Sequence, residues 1–163
     1  MNEKEMDVMN DYIQNYGDII YRISLHYMKQ RADAEDVTQD VFIKLIKKHQ
    51  CFENKQLEKA WVIRVTINTC KDYYRYLKIR RAFSLDEHFD QKQQETKTYG
   101  LLYEVAKLPL KYRSVIYLFY YEQYDIKEIA AILQKKEATI TTWLYRARKS
   151  LKQQLKEGDD YVE

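Results

Sequence analysis

The sequence predicts an all-α protein of two small helical domains joined by a flexible acidic linker, the C-terminal domain being a helix-turn-helix. The first observation behind this is composition, because 163 residues include only three glycines and one proline, which suits long helices and short turns. The second is periodicity, since apolar residues recur at steps of three and four through most of the chain. The third is a polar stretch at residues 82–98, where four acids face two bases and apolar residues are sparse, as expected of a linker. The predicted domains are therefore residues 6–81 and 99–156.

Composition excludes several classes of function. Hydrophobic residues make up 45% of the chain, enough for a core, and no run of apolar residues approaches the eighteen that a membrane span needs. Cys51 and Cys70 have no ligand-like spacing, which favours reduced thiols in a soluble cytoplasmic protein. The three histidines are scattered, and no Gly-rich phosphate loop or nucleophile–base pair occurs. We expect no enzyme activity, no metal site and no cofactor.

Two helices are predicted at the start of the first domain. Residues 6–29 form a stripe typical of a bundle core, and nothing in them indicates chemistry. Asp33 is the expected N-cap of the second helix. The predicted inward residues of this helix are Val37, Val41, Leu45 and Ile46. The predicted outward residues are Asp36, Gln39, Asp40 and Lys44, and their acids have a simple alternative role in capping and solubility.

The third helix is predicted at residues 60–81, after a polar loop at residues 49–58. Between residues 59 and 81 there are seven basic residues and one acid, interleaved with tyrosines. Basic charge attracts phosphate, and aromatic rings stack on unpaired bases. The alternative is that the tyrosines are core residues or lie at the boundary of the buried face. Trp61, Asn68 and Arg75 lie along one line of this helix, and a buried structural role for Asn68 remains open at this point.

The C-terminal domain begins with an apolar stripe at Leu101, Leu102, Val105 and Leu108, and Pro109 fits the first position of a following helix. Asp125 and Glu128 have the spacing of a capping box for the first helix of a helix-turn-helix. The predicted inner stripe of its second helix is Ile140, Leu144, Ala147, Leu151 and Leu155. Its other side carries hydroxyl and basic groups at Thr139, Thr141, Thr142, Tyr145, Arg146 and Lys149. Residues 135–156 hold seven bases and one acid, which indicates DNA binding, with a solvated face of an ordinary bundle as the alternative.

Four strings, in order, resemble the sigma-70 family of bacterial RNA polymerase. Residues 34–45 (AEDVTQDVFIKL) resemble its second conserved region, and residues 60–65 (AWVIRV) with Asn68 resemble its promoter-melting and −10 segment. Leu108 and Pro109 resemble the start of its fourth region. Residues 128–130 (EIA) and 144–148 (LYRAR) resemble the helix-turn-helix of that region. The short chain, without room for further sigma domains, is most similar to the extracytoplasmic-function (ECF) group.

The resemblance implies an alternative sigma factor that binds core RNA polymerase and directs initiation by reading −10 and −35 elements. Its expected partners are promoter DNA, the clamp coiled coil and flap of the polymerase, and an anti-sigma factor, which in this group is often membrane-bound. The implied locations are the cytoplasm, the nucleoid when in holoenzyme, and the membrane when an anti-sigma factor holds it there. No small-molecule substrate is implied.

The resemblance also implies roles for individual residues. The polymerase-binding residues would be Asp36, Gln39, Asp40 and Phe42. The −10 residues would be Phe52, Trp61, Arg64, Asn68, Lys71, Tyr73 and Arg75, with Asn68 reading an extruded base that the loop containing Phe52 encloses. The −35 residues would be Thr139, Thr141, Thr142, Tyr145, Arg146 and Lys149.

The chain departs from the family at a few positions. Position 141, often basic in the family, is Thr here, so the −35 sequence does not transfer. Trp143 is unusually bulky and is expected to flank the inner stripe. The main alternative function is a helix-turn-helix repressor or activator that acts without core polymerase. This alternative shares the C-terminal evidence but leaves the basic, aromatic third helix unexplained.

Overall fold

A computed structural model of the chain describes residues 1–28, 30–83 and 101–159. The chain divides into two compact units, Met1–Thr96 and Lys97–Glu163. All regular secondary structure in the described residues is helical. No helix in this part of the chain combines the length and apolarity that crossing a bilayer requires.

The first unit is a bundle of three helices, α1 (Glu3–Tyr27), α2 (Arg31–Lys47) and α3 (Lys55–Phe83), each in contact with the other two. α1 begins with a capping box, in which Asn2 accepts from the Glu5 amide and Glu5 accepts from the Asn2 amide. The core of the unit is built from aliphatic residues and tyrosines. Its fully buried side chains include Tyr12, Ile20, Ile23, Tyr27, Val37, Val41, Leu45, Ile63 and Ile67.

The predicted start of α2 is wrong. The helix begins at Arg31, so Asp33 lies in its first turn, and Gln30 is the N-cap without a side-chain capping bond. The Asp33 carboxylate instead accepts a hydrogen bond from the hydroxyl of Tyr73, 3.2 Å away on α3. A tertiary contact therefore takes the side chain that the local pattern assigned to a cap.

The predicted faces of α2 hold with two exceptions. Val37, Val41 and Leu45 are buried, but Ile46 is only half-buried. Lys44 was expected to face outward, yet it is half-buried and its Nζ donates to Thr69 Oγ1 at 3.2 Å. The long lysine side chain reaches back over the interface to α3.

The loop before α3 is shorter than predicted, because the helix begins at Lys55 rather than at residue 60. The Asn54 side chain accepts from the Leu57 amide at 2.9 Å, which is the bond of a helix N-cap. Residues 48–54 form the actual connection, called the base loop below. Helix α3 continues through Ala82 and Phe83, and the rest of the predicted linker lies outside the described residues.

The second unit contains α4 (Leu101–Ala106), α5 (Leu110–Ile116), a π-helical turn (Tyr117–Tyr121), α6 (Ile126–Leu133) and α7 (Glu137–Asp159). α7 packs against α4, α5 and α6. Pro109 is the N-cap of α5 rather than its first helical residue, so that prediction was wrong by one position. Buried Arg113 closes the α4–α5 turn, donating to the carbonyls of Ala106 at 2.8 Å and Leu108 at 3.2 Å.

The helix-turn-helix is confirmed at α6 and α7. Asp125 and Glu128 form the predicted capping box. Gln134 ends α6 in the left-handed conformation (φ 54°), and the next amide, Lys135, bonds to the Ala130 carbonyl at 3.0 Å.

The inner stripe of α7 is shorter than predicted. Ile140, Leu144 and Ala147 are buried, and Leu151 is half-buried. Leu155 is 45% exposed, so its assignment to the stripe was wrong. The core of this small unit ends before the last turns of the helix.

Candidate nucleic-acid interface

The outer face of α7 presents polar groups in the geometry of a recognition helix. Thr141, Thr142, Arg146 and Lys149 are exposed, and Tyr145 is 64% exposed. The two threonine hydroxyls donate to carbonyls one turn earlier, at 3.0 and 2.9 Å. Their oxygens keep lone pairs that can accept from base edges or bound water. The face therefore offers donors and acceptors to a major groove.

Three other residues of α7 contribute to packing. Thr139 is half-buried, which places it at the border of the exposed face. Trp143 is half-buried beside the inner stripe, as expected, with Lys111 Nζ 5.8 Å from its ring. Arg148 is exposed, but its Nε donates to the Tyr120 hydroxyl at 2.7 Å and its guanidinium lies 5.3 Å from the Phe119 ring. This arginine fastens α7 to the π-helical turn.

An aromatic floor lies under the base loop in the first unit. The rings of Phe52 and Trp61 are 5.2 Å apart, and the ring of Tyr12 lies 6.4 Å from Trp61. Asn68 is exposed on α3, two turns beyond Trp61 and thus about 10 Å along the helix. The alternative of a buried structural asparagine is therefore wrong. An extruded base needs a polar group for its edge and an apolar surface for its face. The exposed Asn68 amide and the aromatic floor are groups of these two kinds.

The remaining predicted −10 residues have mixed environments. Arg75 is exposed and pairs with Asp72 at 3.3 Å. Arg64 and Lys71 are half-buried, and burial lowers the pKa of the Arg64 guanidinium.

The tyrosines of α3 divide between the two interpretations, which are stacking on bases and a structural position in or beside the core. Tyr73 is half-buried, and burial followed by the nearby Asp33 carboxylate raises its pKa to about 12. The Tyr73 hydroxyl therefore joins two helices, while its ring lies 6.1 Å from that of Tyr76, which is 55% exposed.

Tyrosine hydroxyls of α1 hold the base loop at His49 and the first turn of α3 at Glu58. The Tyr12 hydroxyl lies 2.8 Å from Nδ1 of His49, and the Tyr16 hydroxyl donates to Glu58 Oε2 at 2.7 Å. Lys55 Nζ donates to the same Glu58 oxygen at 3.0 Å. The sequence interpretation missed these residues because α1 was treated as core alone. The available signal was the choice of tyrosine at two successive turns, since a buried tyrosine hydroxyl needs a hydrogen-bond partner.

The polar face of α2 lies open as predicted. Asp36, Gln39 and Asp40 are exposed, and Phe42 is half-buried. Ile43 is 46% exposed beside them. Acids next to a partly open apolar group suit a basic protein partner.

The residues that the structure describes contain no group of three or more His, Cys, Asp or Glu that could hold a metal ion.

The sequence matches two family models that share this architecture. Sigma-70 region 2 matches residues 12–79, and sigma-70 region 4 matches residues 101–151. Together they cover well over half of the chain, one in each compact unit. The chain belongs to the ECF sigma factors of the sigma-70 family.

Relatives and a solved structure agree with this assignment. RNA polymerase sigma factor SigV of Bacillus subtilis is 28% identical over 151 residues, covering 90% of each chain. ECF RNA polymerase sigma factor SigW of the same organism is 27% identical, covering 94% of this chain and 91% of that protein. The fold is similar to that of sigma factor RpoE from Bartonella quintana, solved with the anti-sigma factor NepR, with a TM-score of 0.65 and 21% identity. That match covers 90% of this chain and 96% of the other.

The molecular activity of this sigma factor follows from its family and its two matched regions. It acts with core RNA polymerase and directs promoter-specific initiation of transcription. Most of α7 lies in the match to region 4, and the base loop with most of α3 lies in the match to region 2.

Proposed function

We propose that this ECF sigma factor reads its promoter in two chemical states, double-stranded at the −35 element and unpaired at the −10 element. The observation that carries the proposal is the contrast between its two exposed polar faces. α7 offers a straight row of hydroxyl, phenol and guanidinium groups, which suits the edges of paired bases. The base loop offers aromatic rings with an exposed amide on the adjoining helix, which suits a base outside the stack.

At the −35 element, Thr141, Thr142 and Tyr145 would contact base edges, and Arg146 would pair with guanine or phosphate. Lys149, one turn farther along α7, would neutralise backbone phosphate. Thr139 would act from the border of this face, since it is half-buried.

At the −10 element, Asn68 would read the base while Phe52 and Trp61 supply the apolar wall. Arg64, Lys71 and Arg75 would attract the phosphates of the displaced strand, and the ring of Tyr73 would border it. The first domain, predicted at residues 6–81 and continued by α3 to Phe83, would act in melting. The second domain, predicted at residues 99–156, would recognise the duplex, and the linker between them would begin after Phe83.

Core polymerase would dock on the outer face of α2. Asp36 and Asp40 supply charge for basic residues of the clamp, Gln39 supplies hydrogen bonds, and the half-buried ring of Phe42 supplies apolar contact. The flap of the polymerase would bind the second unit. In this arrangement the sigma factor contributes promoter recognition and the polymerase contributes catalysis. The proposed site of action is the cytoplasm, at the chromosome.

We also propose an anti-sigma factor as a regulatory partner. The support is the fold similarity to a sigma factor that was solved with such an inhibitor. A partner of this kind should copurify with the full chain and compete with core polymerase for it. Holding the sigma factor at the membrane would follow if that inhibitor is anchored there.

Run-off transcription with core polymerase on genomic fragments tests the proposed reading. We expect discrete start sites, with conserved spacing between a −10 and a −35 motif upstream of them. Arg146→Ala should reduce initiation on intact promoters and lose its effect on templates whose −35 motif is already altered. Lys156→Ala, which removes a charge from the last turns of the same helix, is the matched control. Start sites that do not depend on either motif would refute the proposal, and tight operator binding without polymerase would favour a repressor.

A further inference from the structure

Two tyrosines of α1 bond to residues on either side of Phe52, one within the base loop and one in the first turn of α3. Tyr12 and Tyr16 lie one helical turn apart, so their side chains leave the same face of α1. The Tyr12 hydroxyl meets His49, near the point where the chain leaves α2, at 2.8 Å. The Tyr16 hydroxyl meets Glu58, in the first turn of α3, at 2.7 Å. One face of α1 is therefore bonded to residues on both sides of Phe52.

The Tyr16–Glu58 bond is buried, and the Tyr12–His49 bond is part-buried because His49 is exposed. Tyr12 is 1% exposed, Tyr16 is 6% exposed and Glu58 is 9% exposed. A hydrogen bond away from water is strengthened by the low local dielectric, and leaving its groups unpaired is costly. Burial raises the pKa of Tyr12 to about 12 and raises the pKa of Tyr16 as well. Both hydroxyls therefore keep their protons at physiological pH.

The same tyrosines help to form the floor beneath the loop. The ring of Tyr12 lies 6.2 Å from that of Tyr16 and 6.4 Å from that of Trp61. Trp61 in turn contacts Phe52, which lies in the middle of the loop. A shift of α1 side chains would thus move the residues that flank Phe52 and also the Trp61 ring that contacts it.

We propose that Tyr12 and Tyr16 are positioning residues for −10 specificity, because their hydroxyls hold the base loop in the shape that accepts one unpaired base. The inference rests on the proposed role of the loop in −10 recognition. Both tyrosines are buried, so they are not placed to contact DNA directly. They act through His49 in the loop and Glu58 in the first turn of α3, which they hold against α1.

The expected effect follows from the loss of two hydrogen bonds. A loop without these two tethers would populate shapes that accept other bases. Preference for the matching base should then fall about threefold to tenfold. The rings remain in the double variant Tyr12→Phe/Tyr16→Phe, so the apolar floor is preserved.

The test uses holoenzyme assembled with the full chain and promoter templates already unpaired across the −10 element. Initiation is measured on the cognate template and on one with the read base changed, and the ratio gives the discrimination. The double variant should lose discrimination while core binding and cognate initiation stay within about twofold of wild type. Tyr21→Phe is the matched control, since this hydroxyl on the same helix interacts with Arg31 at the start of α2.

A nitroxide label on Cys51 gives a second readout that a purely structural role would not change. Cys51 is exposed within the loop, while Cys70 is buried and burial raises its pKa to about 12, so labelling is selective. The label should move faster in the double variant at a temperature well below the melting transition of either protein. It should be unaffected by Tyr21→Phe.

The outcomes distinguish a failure of the positioning role from a failure of the proposed −10 function. A wild type without base discrimination would overturn both this inference and the proposed −10 function. A wild type that discriminates, with a double variant that discriminates equally well, would overturn the positioning role alone. If the double variant melts early, His49→Ala replaces it, because this exposed residue breaks one tether without entering the core. Unchanged discrimination in the His49→Ala variant would also overturn the positioning role.

Discussion

Asn68 is the residue whose position bears most directly on −10 recognition. It is exposed on α3, on the same helix as the Trp61 ring that supports Phe52. An exposed polar side chain in the middle of a long helix contributes little to the core. Its amide can both donate and accept, as reading a Watson–Crick edge requires.

We therefore predict that Asn68→Ala weakens promoter opening without weakening the fold. Open-complex formation on the cognate promoter should become less favourable by about 1–3 kcal/mol, the worth of a good base-specific contact. Permanganate reactivity of promoter thymines measures opening, and melting curves measure stability. Asn10→Ala, an exposed asparagine on α1, serves as control. Equal opening by mutant and wild type would remove Asn68 from the site.

Glu58 connects the base loop to the stability of the first unit. Burial acts to raise the pKa of its carboxyl, but hydrogen bonds from Tyr16 and Lys55 outweigh burial, and the pKa is lowered. A lowered folded-state pKa means that the ionised form stabilises the fold. This contribution is complete above the unfolded pKa of about 4.3 and disappears as the pH falls through the folded pKa.

We predict that Glu58→Gln lowers the melting temperature at neutral pH and that the difference from wild type shrinks in acid. The reason is that protonation of Glu58 in the wild type imitates the substitution. Melting curves between pH 7 and pH 3 check this. A difference that stays constant over the whole range would show that the charge of Glu58 is not what stabilises the loop.

The helices show how one element packs through one face and leaves the other face exposed for the proposed contacts. α2 buries Val37, Val41 and Leu45 and leaves Asp36 and Asp40 exposed. α7 buries Ile140, Leu144 and Ala147 behind its polar row. In both cases a substitution on the outer face should change binding while leaving the buried stripe intact.

We predict that Asp40→Lys weakens assembly with core polymerase and leaves helical content unchanged. The substitution places a positive charge where the proposed partner surface is basic, so attraction becomes repulsion. Competition for core against wild type measures the affinity, and circular dichroism monitors the fold. Asp18→Lys, the same change at an exposed position of α1, is the control. Normal assembly of the Asp40 variant would refute docking through this face.

At the scale of the whole molecule, the two proposed recognition surfaces belong to different compact units. A promoter that engages both surfaces gains from each only when a scaffold fixes their spacing, because linked sites act together only at a suitable separation. Core polymerase would be that scaffold.

We predict that the isolated protein binds a short −35 duplex weakly and binds promoter DNA about a hundredfold or more tightly in the presence of core. Fluorescence anisotropy with and without core polymerase provides the comparison, at one fixed salt concentration. A duplex with a scrambled −35 element is the control. Tight, sequence-specific binding by the protein alone would contradict the scaffold argument.

The sequence by itself determined the helical class, the helix-turn-helix with its capping box and the outward faces of α2 and α7. These features depend on local periodicity and on bonds between residues three or four apart, which the order of residues encodes directly. Only the tertiary structure decided the hydrogen-bond partners of Asp33, Lys44, Tyr12 and Tyr16. Those side chains find partners 25 to 42 residues away. Periodicity marks which side of a helix is buried, but it does not encode which distant polar atom will meet a buried hydroxyl or carboxylate.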